Sequence, residues 1–225
     1  MPREFNPLIR PGGYREAEKF YILSYEGTTT EKKYFADLRN SIYFNDSGKI
    51  ETIPLKRKAN QGSNPISVKQ LLKEAKKEYN FKSTDEFWLI IDRDDWENIH
   101  RIDFDLLIEE CDKESNFFIA LSNPCFELWL ILHLTTLDIF SEEELAAIYE
   151  NKKISDKKNY IDDILAKCIA DGRGYNKKPN PKIFLPKLYH AIERASKLAV
   201  ENERYPKAIG TDVYKLVARL AKAIE

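Results

Sequence analysis

Phe87-Trp88-Leu89-Ile90-Ile91 is an unbroken apolar run that stops abruptly at Asp92-Arg93-Asp94-Asp95. A strand on a one-sided sheet alternates apolar with polar residues, whereas a run this uniform fits a strand buried on both faces. Such a strand needs helices above and below it, and the flanking sequence supplies them. Phe20 to Tyr25 is aromatic and β-branched and reads as another buried strand, ending at Glu26-Gly27. Thr28-Thr29-Thr30-Glu31 has the form of a capping box with Thr28 as cap, and Tyr34, Phe35 and Leu38 follow at helical spacing. Ile50 to Leu55 is a short strand, and Asn64-Pro65 opens a helix with Val68, Leu71, Leu72 and Ala75 on its apolar face. A helix is expected from Trp96 to Cys111, then a strand over Phe117-Phe118-Ile119-Ala120-Leu121. Beyond Ser122-Asn123-Pro124 an apolar helix runs through Leu132.

Strands alternating with helices predict an α/β fold with a small, mostly parallel sheet flanked by helices. After His133 the strand signal ends. Ser141-Glu142-Glu143-Glu144 is a second capping box, and 141–170 and 183–224 read as helices, so the C-terminal third is expected to be helical. The chain divides into a loose leader (1–18), an α/β core (19–135) and a helical C-terminal region packed on that core (136–225). With 43% apolar and 32% charged residues, wholesale disorder is excluded. No apolar run approaches the ~20 residues of a membrane helix, and no secretory signal opens the chain. Cys111, Cys125 and Cys168 are odd in number and widely spaced, form no zinc pattern and suit a reducing compartment. A cytoplasmic location is expected. The 36 basic and 37 acidic residues leave a net charge of -1, so any polyanion must be met by a local patch or a metal.

Ligands of a parallel sheet bind outside the carboxyl ends of its strands. Glu26 ends one predicted strand, and Asp92 and Asp94 end another. In extended geometry residues two apart point the same way, so Asp92 and Asp94 are expected to face one point and Arg93 to face away. Carboxylates converging there would repel one another, and their natural partner is a hard divalent cation, Mg2+ or Mn2+, which also suits phosphate chemistry. The plain alternative is a solvated acidic turn, and Asp85, Glu86, Asp95 and Glu97 are assigned to that class. Glu127 lies in the first turn of a helix that is apolar all round, and a buried carboxylate needs a partner. Either backbone amides or a basic residue satisfies it, or it belongs to the site. His133 reads as a satisfied core histidine. Two basic stretches, Lys56-Arg57-Lys58 and Arg173 to Lys178, could follow a phosphate backbone, with Tyr175 beside Arg173 and Lys177 stacking on a base; each is equally a solvated loop. Ser24, Ser122 and Cys125 have no histidine partner for a nucleophilic triad, and no phosphate-binding loop or dinucleotide fingerprint is present.

Tyr25-Glu26-Gly27-Thr28-Thr29-Thr30-Glu31, Ile91-Asp92-Arg93-Asp94 and Ser122-Asn123-Pro124-Cys125-Phe126-Glu127-Leu128-Trp129 with His133 resemble the RloB-like family. That family, associated with restriction-modification loci, is regarded as a branch of the Toprim superfamily. The resemblance covers residues 19 to about 217. It implies a Toprim-like sheet, Glu26 as general acid, base or metal ligand, Asp92 and Asp94 holding magnesium, and Glu127 within the site. In that family a Tyr or Gly near a Lys often precedes the last helices, and the resemblance places Tyr175 and Lys177 there. Tyr205 to Val213 matches the family's Asn-Pro-x-Thr-x-Val run only loosely, at Thr211. The implied activity is a metal-dependent nuclease cleaving RNA (tRNA among the candidates) or DNA in anti-phage defence, by metal-activated water. The alternative is a non-catalytic adaptor or sensor that binds nucleic acid or a defence-system partner protein. A primase-type nucleotidyl transferase is a third, weaker alternative.

Overall fold

The computed structural model describes residues 18–45, 50–56, 62, 64–78, 81–94, 96, 101–156, 158–169 and 174–223. Strands and helices alternate first: β1 (Lys19–Tyr25), α1 (Thr30–Arg39), β2 (Ile50–Pro54), α2 (Pro65–Glu78), β3 (Glu86–Asp92), α3 (Phe104–Asp112) and β4 (Phe117–Asn123). There follow α4 (Glu127–Leu134), α5 (Glu142–Glu150), the hairpin of β5 (Lys153–Ser155) and β6 (Lys158–Asn159), α6 (Tyr160–Ile169), α7 (Pro181–Phe184), α8 (Leu188–Lys197), β7 (Gly210–Thr211) and α9 (Val213–Leu220). The main sheet has the order β2-β1-β3-β4-β7, parallel except for β7. The expected mostly parallel α/β fold is therefore present.

Alternate residues of each strand feed opposite cores. Phe20, Ile22, Phe87, Leu89, Ile91 and Leu121 pack with Val68 and Leu72 of α2 and with Phe104, Leu107 and Ile108 of α3. Tyr21, Leu23, Tyr25, Trp88, Ile90 and Ala120 face the other way, into a core shared with α1, α4, α6, α8 and α9. The C-terminal region thus belongs to one of the two cores. Helix α4, apolar all round, is buried on every side, as its composition requires.

Several expectations are corrected. Helix α1 is capped at Thr29, without a side-chain capping bond, rather than at Thr28. The stretch expected as one helix from Trp96 to Cys111 is broken: Trp96 is helical, 101–103 are not, and α3 starts at Phe104, where the Asp103 side chain accepts the Leu106 N–H. The C-terminal third is not wholly helical. A hairpin interrupts the 141–170 stretch, and β7 joins the main sheet against Ser122 and Asn123. Strands of two or three residues are too short to show a period in the sequence. The capping box at Ser141 and Glu144 is formed as expected. The leader falls outside the described residues apart from Glu18.

Candidate active site

The parallel pairing of β1 with β3 sets Tyr25 beside Ile90, which brings the ends of both strands together. The Glu26 amide donates to Ile90 O at 2.9 Å, and the Glu26 carboxylate accepts in return: Asp92 N–H to Oε2 at 3.0 Å and Trp96 Nε1–H to Oε1 at 2.7 Å. Glu26 and Asp92 thus meet, as their places at strand ends imply. The strand stops at Asp92, and Asp94 takes a φ of 40°, a left-handed turn that Asp tolerates better than most residues. The turn is pinned to the next strand by Arg93 N–H to Ser122 O (2.8 Å) and Asp94 N–H to Pro124 O (2.9 Å). Arg93 does point elsewhere: its Nη1 donates to Tyr149 Oη at 2.7 Å and Lys207 O at 3.1 Å.

Two further acids line this end of the sheet. Glu31 is buried in the first turn of α1, and its Oε1 accepts the Gly27 N–H at 2.8 Å. A side chain at position 27 would run into that carboxylate, which gives Gly27 a steric reason to be glycine. The sequence pattern marked Glu31 only as a helix cap; its burial beside the other acids could not be read from spacing. Glu127, also buried, accepts at Oε1 from Tyr175 Oη (3.1 Å) and Lys177 Nζ (3.0 Å), and at Oε2 from Cys125 Sγ (3.2 Å). Glu127 therefore has the basic partner that one reading required, and its charge also acts on Glu31 and Asp92. Lys177 Nζ lies 2.6 Å from Asp162 Oδ1 as well, without the alignment of a hydrogen bond. Thr30 Oγ1 donates to Lys177 O at 3.1 Å and ties the loop to α1.

The electrostatics match this crowding. Burial, then the charges of Asp94 and Glu31, push Glu26 up to about 8, against the donors Asp92 N–H and Trp96. Burial and Glu127 raise Glu31 to about 7, with Lys177 opposing. Asp92 is pushed well above the usual carboxylate range by burial, then by Asp94, Glu26, Glu31 and Glu127, all acidic. Asp92 nevertheless keeps some open surface. Lys177 is held above its ordinary value by Glu127 and Asp162 in spite of burial, which remains the largest influence on it and lowers it. Oxygen donors of this kind fit a hard cation, which would relieve the mutual repulsion. Among the described residues, no three His, Cys, Asp or Glu side chains form a ready-made metal cage. The donor chemistry fits, while a closed coordination shell is not preformed.

The basic stretches fare differently. Lys56 is exposed at the end of β2, while Arg57, Lys58 and Arg173 lie outside the described residues. Tyr175 is buried in the core with its hydroxyl on Glu127, so its ring is not presented to a base. Asp85 and Glu86 are not solvated turn acids: both are buried, and Asp85 accepts the Phe20 and Lys82 N–H groups. Asp95 and Glu97 lie outside the described residues. His133 is a core histidine. Its Nδ1 donates to Trp129 O at 2.8 Å, so Nε2 accepts from Tyr34 Oη at 3.1 Å, and burial lowers its pKa to about 3. Thr211 is structural: its Oγ1 bonds Ser122 Oγ at 2.9 Å and accepts the Val213 N–H.

A family model described as RloB-like protein matches residues 21–220, most of the chain. Neither the curated proteins nor the solved structures gave a match. Among the described residues, no helix is long and apolar enough to cross a membrane.

Proposed function

Because the chain belongs to the RloB-like family, we propose that it is a divalent-metal-dependent nuclease hydrolysing phosphodiester bonds of RNA, tRNA included, or of DNA, in anti-phage defence. The observation that carries this reading is the meeting of acids at one end of the sheet, where Asp94, Glu31 and Glu127 lie close enough to help raise Glu26, Glu31 or Asp92. Ionising so many acids side by side is costly unless a cation joins them. Asp92 and Asp94, with Glu26, are the residues that would hold Mg2+ or Mn2+. Once bound, such an ion supplies positive charge to the phosphate oxygens and an acidified water.

The chain's own groups do the rest. Glu26, at about 8, exchanges a proton near neutral pH, which suits it to take the proton of an attacking water or return one to the leaving oxygen. The Asp92 N–H and Trp96 Nε1–H hold that carboxyl in one orientation. Lys177 and Tyr175 position Glu127, and Thr30 anchors their loop.

Calorimetric titration of manganese into the wild type and Asp92→Ala, beside cleavage assays on RNA and DNA, tests the reading. Wild-type binding and cleavage are expected, with both lost in Asp92→Ala and cleavage also lost in Asp94→Ala, the fold being intact by circular dichroism. Cleavage that persists equally in the mutants and in excess EDTA would sink it. No metal binding, with a partner protein recovered instead, would favour an adaptor.

A further inference from the structure

One side of the acidic end carries chemistry that the acids do not use. Arg93, between Asp92 and Asp94, sends its guanidinium to Tyr149 on α5 and to Lys207 O in the segment before β7. That segment is tied to β4: Asn123 Nδ2 lies within hydrogen-bond distance of the carbonyls of Pro206 (3.2 Å), Lys207 (3.0 Å) and Ala208 (2.8 Å). With those carbonyls turned inward, an open, largely apolar recess remains outside, lined by Leu145, Ala146, Tyr149, Lys207, Ala208 and Ile209, with a volume of about 370 Å³. That is room enough for a nucleobase with its sugar.

Tyr149 is 42% exposed. The Arg93 guanidinium carbon is 5.7 Å from the ring centre, but its Nη1 is bonded to the phenol oxygen. The cation therefore engages the ring from one side, while Tyr149, and not Arg93, lines the recess. An exposed aromatic face flanked by an arginine and an exposed lysine is the combination that binds an unstacked base and its phosphate.

Resting on the nuclease reading, we propose that this recess receives the unpaired base of a nucleotide next to the scissile phosphate, stacked on Tyr149. The substrate is then a nucleic acid single-stranded at the cleavage point. A base inside a duplex presents no free face to the ring and is excluded.

The test compares wild type, Tyr149→Ala and Tyr149→Phe. Fluorescence anisotropy is measured with a labelled single strand, in RNA and DNA forms, and with the same strand annealed to its complement; cleavage of each is followed with manganese. Tyr149→Ala should weaken single-strand binding and cleavage about tenfold and leave duplex binding unchanged, whereas Tyr149→Phe, which keeps the ring, should stay near wild type on the single strand. If wild type cleaves neither form but the binding difference remains, the nuclease reading fails and the recess stands. If wild type cleaves while Tyr149→Ala treats both forms as wild type does, the recess is refuted and the nuclease reading survives. Wild-type failure to bind either form refutes the recess too. RNA and DNA arms that behave alike would show that the base, not the sugar, is what is recognised.

Discussion

Strand β3 begins and ends on acids, and its two ends have opposite fates. At the amino end Glu86 is buried, but its carboxylate accepts Lys19 Nζ and Arg219 Nη1, each at 2.6 Å, and Trp88 Nε1 at 2.8 Å. At the carboxyl end Asp92 is pushed up by burial and then by the like charges of Asp94, Glu26, Glu31 and Glu127. One strand thus presents the same chemical group solved in two ways, with cations supplied from the chain or with repulsion left standing. A fold gains from the first arrangement. The second costs stability, and strongly perturbed acids of this kind concentrate at functional sites.

Substitutions at the two ends should therefore separate activity from stability. The largest effect is expected from Asp92→Asn: cleavage falls by at least about a hundredfold, while the urea midpoint of the metal-free protein at neutral pH rises, because an ionisation that opposes folding is gone. A lowered midpoint with activity retained would reverse the assignment of this end. Glu86→Ala should do the opposite, losing about 2 kcal/mol of stability as Trp88, Arg219 and Lys19 lose their acceptor, with cleavage per folded molecule unchanged.

The pH dependence sharpens the contrast next. Glu26 and Glu31 keep protons in the folded state that the unfolded chain has released, since their values stand at about 8 and about 7 against 4.5. Stability of the metal-free protein should fall as pH rises above 4.5 and level off beyond about 8. His133, lowered from 6.5 to about 3, works the other way, losing stability as pH drops below 6.5. The window from 6.5 to about 8 therefore reports the acids, and Glu26→Gln or added manganese should flatten it in urea titrations. The smallest effect belongs to Lys177→Met. Removing that cation lets Glu31 rise further, so the pH at which cleavage sets in should move upward by less than about one unit.

Much of this contrast was legible in the sequence. The apolar runs announced β1, β3 and β4, and the acids at their ends announced the mouth, because burial and strand polarity both write themselves into residue order. Pairing does not. Glu86 and Asp92 look alike as letters, and only the sheet shows that Lys19 and Arg219 reach one and not the other. Glu31 was legible as a cap and not as a member of the site, since a capping motif and a buried carboxylate use the same letter in the same turn. Tyr175 and Lys177 were legible as a basic, aromatic loop, but their docking on Glu127 joins residues about fifty apart. Strand β7 escaped because two residues carry no period.

The triple hold of Asn123 on the carbonyls of 206–208 bears on synthesis. A ribosome extrudes every acid of the mouth, from Glu26 to Glu127, long before it extrudes the segment that Asn123 and Arg93 grip. The nascent polypeptide carries the charges without the brace that shapes the turn around them. The turn that follows Asp92 gains this brace only after residue 208 has emerged.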